Sequence, residues 1–145
     1  MTTYVNTELT LTTGMIFGTI CGQNGGTLKN CKNYGNIYVG GNNYVGNHFV
    51  GGCIGVATCT QKQSFELVEL YNYGEVKSFC KPTGKQVMYI AGIAARLQYA
   101  TLIDCVNGEE GTTKGAVSDV VFDPCTAVPY MGGVVGNIDA GTTTT

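Results

Sequence analysis

The residues able to do chemistry in this chain are few and poorly assorted: seven cysteines, ten acidic residues and a single histidine. Nucleophilic catalysis needs a Cys or Ser beside a base. His48 is the only imidazole, and its setting, "VGNHFVGG", reads as a surface loop. The stretch "CTQKQSFELVELYNYGEVKSFC", Cys59 to Cys80, has no zinc spacing, and no CxxC occurs anywhere. An odd number of thiols leaves at least one free or bridged to another chain. Several are expected to serve as small buried hydrophobes.

Paired carboxylates fare no better. Acid–base work on a polysaccharide needs two acids at a set separation. Only Glu66 with Glu69, and Glu109 with Glu110, are close in sequence. Adjacent strand residues point to opposite faces, so the second pair does not converge, and solvated loops are the simpler reading. "GQNGG" lacks the following helix and Lys of a phosphate loop, and the regularly placed Asp of calcium-binding repeats is missing. The expectation is a non-enzyme with no catalytic residue, no cofactor and no metal.

Composition narrows the class further. Only 12% of residues are charged, the net charge is -2 and 43% are hydrophobic. A disordered chain would be more polar, and a nucleic-acid binder would carry a basic face. No segment has the apolar length of a membrane span, and "MTTYVNTELTLTTG" lacks the regions of a signal peptide. Gly is abundant, at 22 residues, and Pro is scarce, at 3. That mixture suits many short strands joined by tight turns.

What positions these residues is a repeat. "CKNYGNI" at 31–37 returns as "LYNYGEV" at 70–76, and a worn copy, "CVNGEEG", stands at 105–111. A second element reads "IFGTICG" at 16–22, "FVGGCIG" at 49–55, "YIAGIAA" at 89–95 and "YMGGVVG" at 130–136. The two recur in fixed order, at a period of roughly forty residues. "VMYIAGIAARLQYATLI" could pass for a helix, but its alignment with three strand copies argues for strand. A unit of this size cannot bury its own apolar face, whereas a stack of them can. The alternative is a compact β-sandwich in which the similarity is accidental.

The expected fold is therefore all-β, a parallel β-helix (β-solenoid) of about three to four coils with Gly-rich turns. Its repeats run over about 15–48, 49–88, 89–129 and a partial 130–136. Residues 1–14 form an N-terminal strand or a capping or assembly segment, and 137–145 a flexible C-terminal tail. Equivalent residues then stand in columns. Asn33, Asn72 and Asn107 form one inward column, and Cys31, Leu70 and Cys105 another. An inward Asn is tolerable only if its amide is satisfied, which stacked amides can do for one another. Cys31 and Cys105, two rungs apart, are too distant for a disulfide, so both are expected to be unpaired and buried. Any bridge falls to Cys59, Cys80 or Cys125.

The alternation of "GGxΦG" with "CxNxGxΦ" resembles the GLUG-type repeats of large microbial surface proteins and adhesins. It is clearest at "GTICGQNGGTLKNCKNYGNI" and "VGGCIGV...LYNYGEV" and covers 15–136. The resemblance implies parallel β-helical stalks on the cell surface and supplies no catalytic motif.

The function expected is a non-catalytic extracellular structural or adhesive module of a cell-surface protein or filament. The alternative is a carbohydrate-binding or carbohydrate-active β-helix domain. Tyr34, Tyr38, Tyr71 and Tyr73 fall on the outward parity and form the candidate contact surface, for sugar rings or a neighbouring protein. Cross-strand Tyr pairs that merely stabilise a sheet are an equally good reading. Threonine arrays of an ice-binding kind are disfavoured, because "TLTT" and "GTTTT" lie outside the repeats. In "FVGGCIG", strict alternation sends Phe49 and Cys53 one way and Val50 and Ile54 the other, so an apolar ridge faces outward unless the Gly bend breaks the parity. Self-association, or packing against a longer parent chain, would cover that ridge and the open ends. A glycan or host-surface ligand is the other expected partner, with no nucleic acid and no membrane insertion.

Overall fold

Short apolar runs interrupted by glycine favour brief strands and sharp corners. The computed structural model of the protein describes residues 1–10, 14–41, 46–59, 64–80, 87–119, 130–139 and 143–144. These form strands and bends, with no helix among them.

The chain passes through four sheets in a fixed order. Its first circuit is β1 (Thr2–Thr3), β2 (Thr7–Thr10), β3 (Met15–Gly18) and β4 (Cys21–Asn24). The second is β5 (Leu28–Asn33), β6 (Ile37–Gly41), β7 (His48–Gly51) and β8 (Ile54–Ala57). The third is β9 (Phe65–Asn72), β10 (Val76–Cys80), β11 (Met88–Ala91) and β12 (Ala94–Leu97). The fourth opens with β13 (Ala100–Ile103) and β14 (Val106–Asn107), then β15 (Val117–Asp119), β16 (Tyr130–Gly132) and β17 (Val135–Ile138). A last strand, β18 (Thr143–Thr144), returns to the first sheet.

Each strand pairs in parallel with its counterpart one circuit away. The first sheet runs β1-β5-β9-β13-β18 with β14 also on β9, the second β2-β6-β10-β15, the third β3-β7-β11-β16 and the fourth β4-β8-β12-β17. The result is an all-β, solenoid-like stack.

Columns of apolar side chains fill the interior. One cluster holds Cys31, Leu70, Cys53, Ile93 and Leu97, and a second holds Ile37, Val39, Val50, Val76 and Ile90. Each fully buried aliphatic side chain stabilises the stack by about 1.5–3 kcal/mol. The strands of the first sheet carry an interruption at one level. Asn30, Glu69 and Asp104 all have positive φ, between 51° and 54°. Each sits between the register pairs that align Lys29 with Val68 and Cys31 with Leu70, or at the equivalent place in β13–β14. This extra residue lets Leu67 and Leu70, three apart, both point inward.

One alternative is selected and three expectations change. Of the two alternatives for residues 1–14, the described residues 1–10 take the strand: β1 and β2 are the first members of two sheets, with Thr3 opposite Asn33 and Thr7 opposite Ile37. At the other end β18 pairs with β13, so part of the expected tail is strand, while 140–142 and 145 lie outside the described residues. His48 is not in a surface loop. It is fully buried in β7, in register with Met15 and Met88, because it shares the inward parity of Val50. Finally, Val50, Cys53 and Ile54 are all fully buried. The bend at Gly52–Cys53 turns the corner between the third and fourth sheets and breaks the alternation there. "VMYIAGIAARLQYATLI" is three strands, β11, β12 and β13, joined by bends at 92–93 and 98–99.

Candidate functional site

The most concentrated polar feature is a ladder inside the stack. Asn33 and Asn72 are fully buried, and Asn107 is half-buried. Asn33 Nδ2 donates to Asn72 Oδ1 at 2.7 Å, and Asn72 Nδ2 to Asn107 Oδ1 at 2.8 Å. Each amide also serves the bend that follows it. Asn33 donates to the Gly35 carbonyl at 2.9 Å and accepts from the Gly35 N–H at 3.0 Å. Asn72 donates to the Gly74 carbonyl at 2.8 Å, and Asn107 to the Gly115 carbonyl at 2.6 Å. The amide thus closes its own corner and ties it to the next rung, which is how a buried polar group becomes affordable.

This ladder also explains why the two repeated elements occur together. A Cβ on Gly52 would lie 2.6 Å from Asn72 Cγ, and one on Gly92 would lie 2.1 Å from Asn107 Cγ. In the second and third circuits the second glycine of the corner, Gly52 or Gly92, is the space that the Asn amide of the following circuit occupies. In the first circuit Thr19 stands at that level, and its hydroxyl donates to the Gly52 carbonyl. A second asparagine series runs outside: Asn6 Oδ1 accepts from the Asn36 N–H, and Asn36 Oδ1 from the Glu75 N–H, each at 2.9 Å. The "NYGN" and "YVN" stretches carried that signal.

Cys31 is buried opposite Leu70. Cys105, just before the pair Val106–Tyr71, is only half-buried, because β14 pairs with β9 alone. Both are free thiols, as are Cys21, Cys53 and Cys59. Cys125 and the side chain of Cys80 lie outside the described residues. Burial pushes the Cys53 thiol up to about 12, with Cys105 and Cys31 nearby adding to the effect. Cys105 is also raised, chiefly by burial. Raised thiol pKa values mark inert, packed cysteines and not nucleophiles.

The four predicted tyrosines do not share one face. Tyr34 and Tyr73 stack at 4.9 Å, with Tyr71 6.3 Å from Tyr73 and Lys32 over its ring. Tyr38 lies on the second sheet and meets Phe79. Sequence reasoning missed Tyr4, which stacks on Tyr34 at 4.9 Å. It missed a second ladder as well, Phe49–Tyr89–Tyr130, with centroids 5.2 and 5.0 Å apart. Beside it Arg96 binds Asp139 at 2.5–2.6 Å and lies near the Phe49 ring. In both ladders the inner rings stack face to face, while the end rings Tyr4 and Tyr130 stay 71% and 58% exposed.

One member of each acidic pair is engaged by a lysine. Glu66 pairs with Lys29 at 3.6 Å, both half-exposed. Glu69 occupies the positive-φ position, and Glu109 is tied to Lys114 in the exposed loop after β14. Among the described residues no three His, Cys, Asp or Glu side chains gather as a metal site. No helix among them is long and apolar enough to cross a membrane.

Comparison of the chain with protein-family models, with curated proteins and with solved structures finds no match.

Proposed function

We propose that this chain is a segment of parallel β-helix that serves as a non-catalytic structural or adhesive module of a cell-surface protein or filament. The observation that carries the reading is the Asn ladder, bonded from rung to rung and seated on Gly52 and Gly92. Its polar groups are spent on holding successive circuits together. The aromatic side chains are used similarly, in cross-rung stacks. Placement at the cell surface rests on the likeness to GLUG-type repeats.

The carbohydrate-binding alternative needs open ring faces on which a sugar can lie. Tyr34 is stacked on both sides, by Tyr4 and Tyr73, which weighs against it. A glycan array, with a reducing-end assay on a polysaccharide panel, tests both readings. Neither turnover nor retention sensitive to Tyr34→Ala or Tyr73→Ala is expected. Retention abolished by either substitution would replace the structural reading with the sugar-binding one. Surface labelling of the source cells with an antibody to the chain tests the location; labelling confined to the cell interior would refute it.

A further inference from the structure

The two ends of the stack are complementary to each other. At one end Met131 and Ile138 are 48% and 53% exposed, although Ile90 and Leu97, the preceding members of their columns, are fully buried. Val134 is 38% exposed beside them. At the other end Phe17, in the same column as Met131, is only half-buried, and Ile16 is 44% exposed. The edges match too. Among the described residues β15, β16 and β17 each pair on one side only, as do β2, β3 and β4. All pairs are parallel, so each edge shows the same N–H and C=O pattern that its sheet already uses between circuits.

The first sheet adds a step that fixes the register. β18 covers β13, and among the described residues β14 is paired with β9 alone. β1 covers only Lys32 and Asn33 of β5, leaving the Leu28 end open on that side among the described residues. The step up at one end fits the step down at the other. Extending the observed register by one circuit sets Thr2 and Thr3 of a second copy against Val106 and Asn107. Its Leu28 then meets Thr144.

We infer that a second copy of this chain docks head-to-tail, its first circuit continuing the four sheets beyond β14, β15, β16 and β17. The new contact repeats the interface already present between circuits, with Phe17 covering Met131. Such a contact joins different surfaces and does not close on itself, so it propagates into a filament. This inference rests on the β-helix reading and supplies that module with its partner.

Sedimentation velocity over a hundredfold range of concentration should show growth beyond a dimer. Met131→Lys with Ile138→Lys should raise the dissociation constant at least tenfold, and Ile16→Lys should act likewise from the other end. Each variant alone should stay monomeric, and the mixture of the two should stop at a heterodimer. Self-dimers of either variant would mean a two-fold symmetric contact and overturn the proposal, as would a wild type that stays monomeric throughout. Hydrogen exchange on the wild type needs no variant. Protection should rise with concentration in both 15–24 and 130–138; a rise at one end only, or at neither, overturns it. The β-helix itself is judged separately, on dilute monomer, by the ladder substitution described below.

Discussion

Asn72 is the residue on which most of the polar interior converges. It accepts from Asn33 and donates to Gly74 and Asn107, at zero exposure. Asn72→Ala removes three bonds and leaves Asn107 Oδ1 short of a donor. A loss of about 2–4 kcal/mol is expected, read as a lower urea midpoint with an unchanged slope. A loss below 0.5 kcal/mol would show the ladder to be incidental. Cys53 makes a second expectation at this scale. Its folded-state pKa of about 12 lies above the ordinary 9.0. Between those values the unfolded chain gives up the thiol proton and the folded chain keeps it. Stability attached to Cys53 is therefore complete below pH 9 and is lost as pH rises toward 12. The wild type should lose more stability than Cys53→Ala across that window, and native Cys53 should resist iodoacetamide at pH 8. Equal alkaline slopes for the two proteins would refute the assignment.

At the scale of elements, the strands of the first sheet are set by one backbone level. Asn30, Glu69 and Asp104 each adopt the left-handed conformation there. Asn and Asp tolerate it because their short side chains bond locally, whereas Glu gains no such relief. Glu69→Asn copies the residue one circuit back and should raise stability by about 0.5–1 kcal/mol, measured by thermal melting. A fall in Tm would mean that the Glu69 side chain has a role the backbone does not explain. The corners between the third and fourth sheets obey a different constraint, the amide seated against Gly52 and Gly92. Gly52 and Gly92 leave no room for a side chain.

For the whole molecule, stability accrues from contacts between successive circuits, as in other repeat proteins. Circuits two and three are covered on both sides, and their core residues are fully buried. Leu9, Phe17 and Val135 at the ends are only partly so. Native-state hydrogen exchange in dilute solution should therefore grade along the stack, slowest in β6–β12 and fastest in β2–β4 and β15–β17. Uniform exchange across all four circuits would instead mean one cooperative unit with no fraying ends.

The sequence by itself determined the columns. A side chain in a parallel stack meets the same position of the next circuit, so a motif repeated in order, such as "CKNYGNI" with "LYNYGEV", already states which residues touch. Cys31 opposite Leu70, and Asn33 opposite Asn72, follow from that alone. Only the tertiary structure decided what lies across the interior and how the corners turn. Gly52 meets Asn72 from the opposite wall, and no local pattern encodes a contact between walls. The bend at Gly52–Cys53 resets the inward and outward parity, which put Cys53 inside; ordinary parity in β7 buried His48, which its glycine-rich setting had disguised as a loop. The first half of the first circuit was not recognised as a repeat copy because Thr3 and Val5 replace the Asn and Gly that mark the motif. The backbone ladder needs only a chain of the right length at that level, and side-chain identity there is free to drift.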